Sequence, residues 1–88
     1  MTPSKQLSEA REALVQAIRS GKSVKIQQGS AQMGTLQEQL QTLLAQGEST
    51  VDSGSANPKQ YRELAQNISN VSRRYNLAEQ DWQAEQRQ

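Results

Sequence analysis

Ser20-Gly21-Lys22-Ser23-Val24-Lys25-Ile26-Gln27-Gln28-Gly29 is the stretch on which the fold class turns. Here alone β-branched residues alternate with polar ones, Val24 and Ile26 against Lys25 and Gln27, between glycines at 21 and 29. Alternation with a period of two, bounded by turn residues, predicts a short strand or one arm of a small hairpin; an irregular loop is the alternative. On the hairpin reading Gly29-Ser30 turns the chain and Ala31–Met33 runs back as a very short second arm. Two strands alone are marginal in water, so a helix or a neighbouring protein must cover them. Lys22, Val24, Lys25 and Ile26 are therefore candidate contact residues.

The sequence on either side is helical. Upstream, Thr2 can cap a helix that has Pro3 in its first turn, and Leu7, Ala10, Leu14, Ala17 and Ile18 form a narrow apolar stripe at three- and four-residue steps. Gly21 is the expected stop. Downstream, Thr35 and Glu38 have the spacing of a capping box, and Leu36, Leu40, Leu43 and Leu44 make the most apolar face of the chain before Gly47, the expected end of the second helix. Glu48–Ala56 is small, polar and Gly/Ser-containing, which reads as a linker with a joint near Gly54.

Asn57-Pro58-Lys59-Gln60 starts a third helix with a cap, a first-turn proline and a Gln three residues after the cap. Tyr61, Leu64, Ile68, Val71, Tyr75, Ala78 and Trp82 then follow at alternating steps of three and four. Such an a/d seam belongs to a helix that packs lengthwise on another. The expected fold is mainly α, three helices with a small β-hairpin after the first, and with helices two and three paired as a helical hairpin or coiled coil. Its organisation is a helix–β–helix unit over 1–47, a linker over 48–57 and a long amphipathic helix over 58–88, all within one small domain.

Bulk composition limits what such a chain can do alone. It has 88 residues, 33% hydrophobic, no Phe, and a mean hydropathy of −0.90. A small domain so poor in large apolar groups is usually helped by disulfides, metals or association. Cys and His are both absent, which excludes disulfides and argues against zinc or haem, so association with protein partners, as a homo-oligomer or a stable hetero-complex, is expected. Lys5, Arg11, Arg19, Lys22 and Lys25 outweigh Glu9 and Glu12 in the first third, while Glu79, Asp81 and Glu85 face only Arg87 at the end. That polarity suits head-to-tail contact between subunits, and a solvated surface explains it equally well. No apolar run is long enough for a membrane span or a signal-peptide core, which implies synthesis in the cytoplasm.

The chemical readings are thin. Gly21-Lys22-Ser23 resembles the end of a phosphate-binding loop, but Gln16 stands where that motif needs a glycine, and the order of strand and helix is reversed. Without His or Cys there is no ready base or nucleophile, and Glu9/Glu12 and Asp81/Glu85 read as solvated charges. No catalytic residue, metal site or cofactor is expected. Arg19, Lys22, Lys25, Arg73 and Arg74 lack interleaved aromatics on a nearly neutral chain, which argues against nucleic acid. Tyr61, Tyr75 and Trp82 read as seam residues, with Trp82 either core or an interface anchor.

Leu7-x-x-Ala10-Arg11-x-Ala13-Leu14 followed by Gly21-Lys22-x-Val24 resembles the start of the gpW-like head–tail joining proteins of tailed phages, over roughly residues 1–45. The resemblance implies an α+β adaptor that assembles as a ring below the portal and resides in the virion. Leu36–Leu44, the small-residue loop and Asn57-Pro58-Lys59-Gln60-Tyr61 look instead like the helical hairpin of type III secretion needle subunits and their small co-chaperones. Both resemblances imply a non-enzymatic adaptor that works by packing helices against other proteins. The expected function is a virion head–tail connector with portal and tail proteins as partners; the alternative is a secretion needle subunit or co-chaperone with secretion components. The expected contact residues are Leu36, Leu40 and Leu43 on helix two, Tyr61, Leu64, Ile68, Val71, Tyr75 and Trp82 on helix three, and the four around Val24.

Overall fold

The computed structural model describes residues 3–27 and 29–87; Thr2, proposed above as the first cap, lies outside them. Three helices follow one another: α1 (Pro3–Lys22), α2 (Ala31–Ser53) and α3 (Pro58–Gln86). Among the described residues there is no strand.

The α2–α3 connection is short because both of its ends are capped. Gly54 takes a left-handed φ of 66°, and its N–H bonds back to the Thr50 carbonyl. That conformation is nearly free for glycine and costs any other residue, so α2 stops here. Three residues later the Asn57 side chain accepts from the Gln60 N–H at 2.8 Å, and the Gln60 side chain accepts from the Asn57 N–H at 2.8 Å. This reciprocal box starts α3 where the sequence placed it. Two helices joined by so few residues must be antiparallel neighbours.

α1 completes an up–down–up bundle. The Arg11 side chain reaches the Val51 carbonyl, Ile18 lies against Gly47, and Gly21 lies against Leu44. The descending partners show that α1 is antiparallel to α2 and therefore parallel to α3. Both α2 and α3 pack on α1, and the α1–α3 interface is the most extensive of the three. Ala10, Leu14, Ala17 and Ile18 from α1 meet Met33, Leu36 and Leu40 from α2 and the α3 seam in one core. The helical hairpin expected from sequence is present, with α1 as its third wall.

This arrangement explains why the expected β-hairpin does not form. The end of α1 lies beside Leu44, whereas α2 begins at Ala31, about 20 Å farther along the axis at 1.5 Å per residue. The described residues between them, 23–27 and 29–30, must run lengthwise along the bundle to reach it. A turn at Gly29-Ser30 would return the chain to its starting point, so tertiary geometry overrides the local alternation of Val24 to Ile26. Ala31–Met33, read as the return arm, is the first turn of α2, with the Ser30 hydroxyl accepting from the Met33 N–H at 3.2 Å. Ser30, not Thr35, is thus the cap; Thr35 and Glu38 lie inside the helix, and the Thr35 hydroxyl donates to the Ala31 carbonyl.

The boundaries at glycine also move. Gly21 is helical and buried, with its Cα facing Leu44 and Ile68, and α1 runs one residue past it. Gly47, expected to end α2, is buried in mid-helix, where an added Cβ would lie 3.1 Å from Ile18 Cδ1 and 3.2 Å from Ile68 Cδ1. Both let the helices approach closely rather than stop. Residues 48–53 of the expected linker are consequently the last turns of α2, leaving only 54–57 as a loop. One core joins all three helices.

Candidate protein-interaction surface

The residues expected to contact partners divide into two groups. Leu36, Leu40, Tyr61, Leu64, Ile68, Val71 and Tyr75 are all buried within the chain, with Ile68 and Tyr75 at 0% exposure. Leu43 and Trp82 are half-buried and pack against the same core. The heptad seam of α3 therefore faces α1 and α2 of its own chain, and its periodicity could not say whose helix it would meet. The sequence also left α1 and Met33 out of the contact set, although Leu14 and Met33 are fully buried. The three- and four-residue spacing of the α1 stripe carried that signal.

The second group lies on the crossover between α1 and α2. Lys22 and Lys25 are exposed, and Lys22 forms an ion pair with Glu48 of α2. Ile26 is 41% exposed, while Val24 is half-buried against the core. The Tyr75 hydroxyl reaches out of the core to this segment, accepting from the Gln27 N–H at 2.8 Å and donating to the Gln27 carbonyl at 3.3 Å. An added Cβ on Gly29 would lie 3.0 Å from the Trp82 ring, so Trp82 supports the crossover from below. Tyr75 and Trp82 act here on the chain's own backbone.

Gly21-Lys22-Ser23 has no free phosphate cradle. The Ser23 N–H bonds to the Arg19 and Ser20 carbonyls, and the Val24 N–H bonds to the Gly21 carbonyl. The amides that such a loop would turn toward a phosphate already close the last turn of α1. Glu9, Glu12, Asp81 and Glu85 are exposed, as the solvated reading requires. Arg73 also lies on an exposed face, where it donates to Asn70, which in turn accepts from Gln66.

What remains available to a partner is the outer helical surface. Every described residue from Ser4 to Glu9 is exposed, so the first turns of α1 project beyond the shared core. Leu7 there is 37% exposed, and Leu77, next to the seam residue Ala78 on α3, is 53% exposed. Between α1 and α3 runs a shallow groove with Ala13, Ala17, Ala65 and Ser69 along it and Arg62 at its edge. No helix among the described residues is long and apolar enough to cross a membrane. Set against protein-family models, curated proteins and solved structures, the chain matches none.

Proposed function

We propose that this chain is a non-enzymatic structural adaptor that packs its helices against other proteins in a multi-subunit assembly. The observation that carries this reading is the capped, antiparallel α2–α3 hairpin, held by the Asn57–Gln60 box and backed by α1. A hairpin of this kind is what the resemblance to type III secretion needle subunits and small co-chaperones implies. The rod-like shape, 55 × 22 × 16 Å, offers a partner long helical faces rather than a concave site. Partner contact on this reading falls on the outer faces, on the projecting start of α1 with Leu7 and on the exposed crossover with Lys25 and Ile26.

A virion-neck adaptor is the second reading, favoured by the α1 pattern Leu7 to Leu14 leading into Gly21-Lys22. Its strand pair has no counterpart among the described residues, so the secretion-type hairpin is the closer fit. Native mass spectrometry of the chain, alone and co-expressed with the products of adjacent genes, tests both. A discrete complex with one secretion component supports the co-chaperone form. A closed ring of many copies, or a complex with a portal protein, supports the neck form. A chain that stays alone in every combination contradicts the adaptor reading itself.

A further inference from the structure

The α1–α2 crossover is lightly held among its described residues. The side chains of Lys25, Ile26 and Gln27 are exposed, and Val24 is half-buried. Among the described residues, the Tyr75 hydroxyl is the one hydrogen-bond partner of the Lys25, Ile26, Gln27 and Gly29 backbone. Tyr75 itself is fully buried, so a core side chain delivers this hydroxyl to the surface segment from a fixed position. A phenol oxygen can donate one bond and accept others, and here both go to the two backbone groups of Gln27. Gly29 closes the same end: an added Cβ would meet the Met33 sulfur at 2.6 Å and the Trp82 ring at 3.0 Å.

We infer that the Tyr75 hydroxyl is a latch, and that the crossover opens as a local unit while the three helices stay folded, uncovering Met33 and Trp82. Segments with few buried side chains and few backbone partners occupy the low end of local stability. The helices do not depend on the crossover for their core, which is formed by residues from α1, α2 and α3.

Tyr75→Phe removes the hydroxyl and keeps the ring in the core. Hydrogen exchange at the Gln27 amide, whose acceptor is lost, should then accelerate about tenfold, the factor for losing one ordinary hydrogen bond. The Val24 amide, bonded instead to the Gly21 carbonyl, should accelerate with it because the segment opens as a unit. Amides inside α2 and α3 should keep their rates. Trp82 is the chain's single Trp, and its fluorescence should become more accessible to acrylamide. Gly29→Ala, which crowds Met33 and Trp82 without touching the hydroxyl, should raise the same quenching. A Val24 amide that keeps its rate in Tyr75→Phe, or crossover amides that accelerate only together with the helices, would overturn the latch.

Discussion

Gly34 lies in the first turn of α2 and faces open space, with nothing within 4 Å of an added Cβ. Glycine in a helix costs roughly 0.5–1 kcal/mol relative to alanine, because more backbone freedom is lost on folding. Gly34→Ala should therefore raise stability by about that amount, read as a higher midpoint in urea. Gly47 has the opposite environment, enclosed by Ile18 and Ile68. Gly47→Leu should lower stability by about 1–3 kcal/mol, as overpacking of a close helix crossing does. At Asn57 the bond to the Gln60 N–H is lost in Asn57→Ala, and the same titration should show a loss of about 1 kcal/mol. The Lys22–Glu48 pair is largely solvent-exposed on both sides, so Glu48→Gln should change little, within about 1 kcal/mol.

The elements differ in how far local sequence determines them. α3 could be read almost residue by residue, because its cap and its seam are both local patterns, and the structure places Asn57, Pro58 and Gln60 at its start. Local patterns make α2 too short at both ends. Thr35 and Glu38 match a capping box, but Ser30 caps a turn earlier, and Gly47 is tolerated in mid-helix because Ile18 and Ile68 pack over it. Neither a close approach by α1 nor the distance the crossover must span is visible in a sequence window. The crossover failed as a strand for the same reason. For the interaction surface, the seam periodicity correctly marks Ile68 and Val71 as residues that meet a helix, yet the partner helices are α1 and α2. Ile68→Ala should accordingly cost about 2–5 kcal/mol of stability in the isolated chain. Val71→Asp places a carboxylate without a partner at a buried position and should abolish helical circular dichroism outright. A seam between subunits predicts something else for Val71→Asp, a helical monomer.

At the scale of the whole molecule, a composition poor in large apolar groups pointed to association as a condition of folding. The bundle shows how such a chain can close a core by itself. Alanines at 10, 17, 65 and 78 and glycines at 21 and 47 bring the helices near one another, and two buried tyrosines and one Met fill the space that Phe would otherwise take. On the adaptor proposal, binding is then a property of a folded rod, through its outer helical faces, the start of α1 and the crossover, rather than the step that folds it. The unfolding midpoint of the purified chain, measured across about a hundred-fold range of concentration, tests that claim most directly, because only an oligomer-dependent fold has a midpoint that moves with concentration. The three-helix core predicts one cooperative transition at a constant midpoint. A midpoint that rises with concentration would contradict it and return the Tyr61–Trp82 seam to a contact between chains.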